Sequence, residues 1–256
     1  MRIAIPALAL LPAVALAGSP LDGTWKLRAG SVKTTGKPDS RVVVDGLYSC
    51  ASCVPALEKV PADGTFHKVS GHAYYDAIRV RVVSASAIEI TLQRGGRPAA
   101  MTTYTVSDDG HTIQGRFTDY SGTVPATGSF SERRVGAAPP GAHLTSGAWL
   151  IKGLADFNDA ASVSSYRMTS DGFSMKMNGL SYDAKFDGKQ YPVVGDPGGT
   201  LVTLKKINDH TVLEADYRQG RLVEEVRLSA TGDTLKLTDR NVAHGQTMTM
   251  IFDRHP

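Results

Sequence analysis

The sequence predicts an all-β protein: two tandem antiparallel β-barrel modules that arose by internal duplication. Three observations carry this expectation. Motifs recur at a nearly constant offset, apolar and polar residues alternate with period two, and turn dipeptides separate the alternating runs.

The repeat is the strongest signal. Gly23-Thr24-Trp25 returns as Gly147-Ala148-Trp149, an offset of 124, and these hold the only two tryptophans. Asp63-Gly64 returns as Asp187-Gly188, and Val69 with Gly71 as Val193 with Gly195. Ile78, Val80 and Val83 match Val202, Leu204 and Ile207. The offset then falls to 122: Ser107, Gly110 and Thr112 match Ser229, Gly232 and Thr234, and Phe130 matches Phe252. Residues 135–143 are nearly free of charge and periodicity, and read as a linker between module 1 (18–134) and module 2 (144–256).

The alternation is that of half-buried antiparallel strands. Ile78, Val80 and Val82 flank Arg79 and Arg81, and Ile88, Ile90 and Leu92 flank Glu89 and Thr91. Leu235 and Leu237, then Met248, Met250 and Phe252, continue the pattern near the C-terminus. Gly95-Gly96, Asp109-Gly110, Asn208-Asp209, Gln219-Gly220 and Thr231-Gly232 supply hairpin turns. Only the stretch from Asp156 to Ser165 suggests a helix, and a short one.

Composition excludes several classes. The 256 residues are 41% hydrophobic and 21% charged, which does not fit a disordered chain. A formal net charge of +3 does not argue for nucleic acid as a partner. Residues 1–17 combine a basic start, an apolar run and an Ala15-Leu16-Ala17 ending, which predicts a secretory signal peptide. The expected destination is an exported compartment, periplasmic or secreted, with no transmembrane segment in the remainder.

The Gly-x-Trp openings resemble the opening motif of the lipocalin superfamily. The runs Gly23 to Leu27 and Asp187 to Val193 are similar to those of uncharacterised exported bacterial proteins with tandem lipocalin-like modules. The resemblance implies a β-barrel in each module, a capacity for ligand, and a structural arginine of the last strand packed over the opening tryptophan. Arg133 and Arg254, shortly after Phe130 and Phe252, are the arginines expected to seal Trp25 and Trp149.

Cys50 and Cys53 have no counterpart in module 2. An exported protein favours a disulfide between them; a redox pair is the second reading. The third is zinc, because His67 and His72 follow at a formally suitable spacing. His67 and His72 stand five apart in a strand-like run, which points them to opposite faces. No metal or other cofactor is therefore expected. No nucleophile elbow, phosphate loop or triad spacing marks an enzyme.

Glu214 and Asp216 are the weak candidates for ligand contact. At the 124 offset they stand where module 1 has Ile90 and Leu92, while Leu213, Ala215 and Tyr217 alternate with them. Either a bulge shifts the strand's phase, or the second barrel has a polar interior. The resulting expectation is a non-catalytic exported protein that holds a small, partly apolar ligand. The alternatives are a structural or partner-binding protein of the cell envelope and, third, an enzyme on a β-barrel scaffold.

Overall fold

The computed structural model describes residues 18–256. The expected signal peptide, residues 1–17, lies outside them. Strands follow in the order β1 (Gly23–Leu27), β2 (Lys33–Gly36), β3 (Asp39–Val44), β4 (Leu47–Cys50), β5 (Leu57–Pro61), β6 (Asp63–Lys68) and β7 (Ala77–Ser84). Next come β8 (Ala87–Arg94), β9 (Arg97–Val106), β10 (Thr112–Asp119), β11 (Ala126–Gly136) and β12 (Gly147–Ala155). A short helix, α1 (Asp159–Ser162), the only one among the described residues, precedes β13 (Val163–Met168), β14 (Gly172–Met177), β15 (Leu180–Lys185) and β16 (Tyr191–Pro192). The chain ends with β17 (Leu201–Asn208), β18 (Thr211–Arg218), β19 (Arg221–Thr231), β20 (Thr234–Asn241) and β21 (Gln246–His255).

These strands form two nearly closed antiparallel sheets, the two barrels expected from the duplication. The first runs β5-β4-β3-β12-β11-β10-β9-β8-β7-β6, and its edges β5 and β6 meet at Ala62. The second runs β15-β14-β13-β1-β21-β20-β19-β18-β17-β16, with β2 attached to β21. A bridge from Ser181 to Val194 draws its two edges together. Paired edges leave few free backbone groups, which is the physical reason to close a sheet. At the β18–β19 turn, Gln219 and Gly220 have φ of 50° and 75°, the geometry of a tight hairpin.

The boundary between repeats is not the boundary between barrels. β1, the opening strand of the first repeat, lies between β13 and β21 in the second barrel. β12, the opening strand of the second repeat, lies between β11 and β3 in the first. The chain therefore exchanges opening strands with itself, crossing at residues 37–38 and again at 156–162. The 135–143 stretch, expected to join two modules, instead leads from β11 to its own neighbour β12. Two copies of one unit present equivalent slots, so each opening strand meets equivalent neighbours, β1 with β13 and β21 and β12 with β3 and β11.

The registers of the ladders also revise the sequence alignment. Ile78 pairs with Leu92 and Val202 with Asp216, which keeps the 124 offset. In the last strands Thr112 pairs with Arg133, but Thr234 pairs with Asp253. Glu132 is therefore the counterpart of Phe252, and Arg134 of Arg254. The expected match of Phe130 with Phe252 is displaced because the β10–β11 connection is longer than the β20–β21 connection.

Candidate functional site

Each barrel floor is sealed by the same clasp. Trp25 and Trp149 are both 0% exposed. Each indole Nε1 donates to the carbonyl four residues earlier, Leu21 or Thr145, at 3.0 Å. The Arg254 guanidinium lies 4.3 Å from the Trp25 ring centroid, and Arg134 lies 4.1 Å from that of Trp149. Arg254 Nη1 donates to the Asp22 carbonyl and Arg134 Nη1 to the Ser146 carbonyl, both at 2.6 Å. The glycine of the motif has a steric reason: a Cβ on Gly23 or Gly147 would stand 2.7 Å from that Nη1. Two expectations are corrected here. Arg133 is exposed and its neighbour Arg134 takes the role, because alternation sends Arg133 to the outer face. The clasp on Trp25 also comes from the other repeat, as the strand exchange requires.

Above this floor the first barrel holds a half-open cavity of about 370 Å³. Tyr48, Tyr104, Phe117 and Phe130 line its walls, with the Cys50–Cys53 disulfide at one side and Arg41 and Glu132 at another. β3 and β11 bring Arg41 and Glu132 together across β12, and an Arg41 Nη2 to Glu132 Oε2 hydrogen bond joins them. Both are almost wholly buried, 6% and 3% exposed. The guanidinium stacks 4.2 Å over the Tyr104 ring, and its Nε has no hydrogen-bond partner. A desolvated N–H donor without an acceptor is costly unless something supplies one. Burial raises the Glu132 carboxyl above the ordinary range against the pull of Arg41. It raises the phenols of Tyr48 and Tyr104 as well. Sequence reasoning missed Arg41 and Glu132. Their only signal is the contrast with the second barrel, whose registers place Tyr166 and Phe252 at the same positions.

The second barrel is built differently. Glu214 and Asp216 project inward beside Tyr182, Leu204 and Val202; the irregularity next to Asp216 falls in β19, where Val223 is the extra residue, and leaves the phase of β18 unchanged. Tyr182 Oη donates to Glu214 Oε2 at 2.5 Å. Asp216 is 9% exposed, and its Oδ1 has no partner. Burial, then repulsion from Glu214, pushes the Asp216 carboxyl up to about 9. Burial pushes Glu214 up to about 7 and Asp239 up to about 6. These groups hold protons in the folded state that an unfolded carboxyl releases near pH 4. Their contribution to stability is thus full below that pH and lost as pH rises through the folded values. Melting is expected at least about 4 °C lower at about pH 9 than at about pH 5, the shift made by roughly 1–2 kcal/mol. The triple variant Y182F/E214I/D216L copies the apolar character of the first barrel and should flatten that dependence. A wild-type melting curve that is flat or rising over this range would contradict the arrangement.

Cys50 and Cys53 form the expected disulfide, with sulfurs 2.05 Å apart. The histidines of the alternative zinc reading do not converge on it. His67 Nε2 pairs with Asp63 at 3.0 Å, whereas His72 stacks on Tyr75 at 4.3 Å. His244, from the β20–β21 loop of the second barrel, reaches the rim of the first barrel's cavity. It also borders an inter-barrel pocket of about 380 Å³ in which Arg218 lies 4.8 Å over Tyr74. Among the described residues no helix is long and apolar enough to cross a membrane. No protein-family model matches the chain, and neither a curated protein nor a solved structure matches it.

Proposed function

We propose that the chain is an exported, non-catalytic lipocalin-like protein that binds a small, partly apolar molecule inside its first barrel. One observation carries the reading: an aromatic-lined pocket of about 370 Å³ whose wall includes the buried ion pair of Arg41 and Glu132. Its size falls at the small end of ligand pockets. Phe117, Phe130 and Tyr48 suit a flat apolar body. The Arg41 guanidinium in the pocket wall suits a hydroxyl or carbonyl oxygen as acceptor, and Glu132 fixes it in place. Export is consistent with the Cys50–Cys53 disulfide on the cavity wall.

Calorimetric titration with 2-naphthol tests the reading. The expected result is one site with a Kd of about 10–100 μM. Thr102 lines the cavity, so the variant Thr102→Phe fills it from within. That variant should melt like the parent and bind at least about tenfold more weakly, a loss of about 1.4 kcal/mol. Failure of the parent to bind, or undiminished binding by Thr102→Phe, would overturn the assignment.

A further inference from the structure

The polarity of β18 is inverted relative to its counterpart β8. β8 turns Ile88, Ile90 and Leu92 inward and Glu89, Thr91 and Gln93 outward. β18 turns Glu214 and Asp216 inward and Leu213, Ala215 and Tyr217 outward. The duplication supplies an internal control for what this does to the outer surface. On the first barrel Glu89 accepts hydrogen bonds from Arg79 at 3.1 Å and Arg81 at 3.0 Å. Those crossed ion pairs fill that face. On the second barrel the same place is an open groove of about 580 Å³ with Leu213, Ala215 and Tyr217 in its floor.

The charges around this groove are also specific. Lys205 and Arg227 pair with Leu213 from the strands on either side, so two cations flank one apolar residue. Cross-strand neighbours stand about 5 Å apart, which separates these two positions by roughly 10 Å. Among the described residues neither cation has an ion-pair partner, whereas Arg240 at the groove's edge is joined to Glu225. Two positive charges beside an apolar floor complement an anionic head on an apolar tail. A second copy of the chain does not fit: a two-fold contact here would bring Lys205 and Arg227 against the same charges.

We propose that the outer face of β17–β20 is a second binding site, separate from the barrel cavity, for a free anionic amphiphile such as an alkyl carboxylate. Its acid group sits between Lys205 and Arg227, and its chain runs over Ala215 and Tyr217.

The test is calorimetric titration of the full chain with monomeric dodecanoate, with dodecyltrimethylammonium and anionic phosphatidylglycerol vesicles as comparison probes. Dodecanoate is expected to bind and the ammonium to bind at least about tenfold more weakly. The double variant L213E/Y217Q installs the first barrel's residues, Glu89 and Gln93, at their register positions. It should weaken dodecanoate binding at least about tenfold while Thr102→Phe leaves it unchanged. Should L213E/Y217Q fail to fold, the charge reversals Lys205→Glu and Arg227→Glu on exposed side chains give the same readout. Binding untouched by the groove variants, binding lost in Thr102→Phe, preference for the ammonium, or capture by vesicles without binding of dodecanoate would each overturn the proposal. None of these outcomes bears on 2-naphthol in the cavity, so the two assignments stand or fall separately.

Discussion

In a Trp25→Ala variant, the amides of the second barrel, residues 163–255, are expected to lose protection from hydrogen exchange, although Trp25 belongs to the first repeat. The cause is the exchange of opening strands: β1 pairs with β13 and β21, and Arg254 covers the indole. Trp25 is 0% exposed and packs in one cluster with Phe173, Tyr182, Leu228 and Leu235. Truncating a buried tryptophan costs about 3–5 kcal/mol, a large share of the stability of a domain. The first barrel should keep its protection, with Trp149 fluorescence as a second reporter. If residues 39–136 were the ones to open, the strand exchange would be refuted. The equivalent substitution Trp149→Ala should act on the first barrel, because β12 is inserted there.

The second large effect concerns the ion pair in the cavity wall. Replacing Arg41 alone by methionine leaves Glu132 buried without its cation, and is expected to cost about 3–5 kcal/mol in chemical denaturation. Replacing both partners removes the desolvation cost together with the attraction. The double variant R41Y/E132F installs residues the second barrel already tolerates, Tyr166 and Phe252, at matching registers. Its stability should equal or exceed that of the parent by up to about 4 kcal/mol. At the same time its affinity for 2-naphthol should fall, because no N–H remains to meet the hydroxyl. A double variant as unstable as the single one would show that the pair is needed for the fold. Retained stability with lost affinity would tie it to the ligand.

The two barrels thus carry buried polar groups at different places on one scaffold. The first has Arg41 and Glu132 where the second has Tyr166 and Phe252. The second has Glu214 and Asp216 where the first has Ile90 and Leu92. Buried polar groups are expensive, and a diverged copy keeps them only where a partner or proton offsets the cost. In the first barrel that pair lines the pocket of about 370 Å³.

Glu214 and Asp216 were legible as an anomaly, a bulge or a polar interior, because they break an alternation that the repeat had already calibrated. Arg41 and Glu132 were not. They lie 91 residues apart in the chain, Glu132 sits between Ser131 and Arg133 as on a solvated face, and Arg41 precedes a run of three valines with nothing local to mark its partner. Arg133 was read in place of Arg134 for a related reason. Phe252 and Arg254 stand two apart and share a face, whereas Phe130 and Arg133 stand three apart and do not; the two-residue difference in the β10–β11 connection leaves faces unchanged but hides Arg134 as the counterpart of Arg254.

Local and periodic information in the sequence alone determined the class of fold, the duplication, the hairpin turns and the Gly-x-Trp floor of each barrel. Those properties depend on neighbouring residues and on side-chain alternation, which the chain carries at short range. The tertiary structure decided which barrel each opening strand completes, which arginine closes each floor, and where a cavity remains. These depend on pairings between strands far apart in sequence, and two similar copies offer each opening strand two slots of nearly equal fit. The chain passes from one barrel to the other at 37–38 and at 156–162.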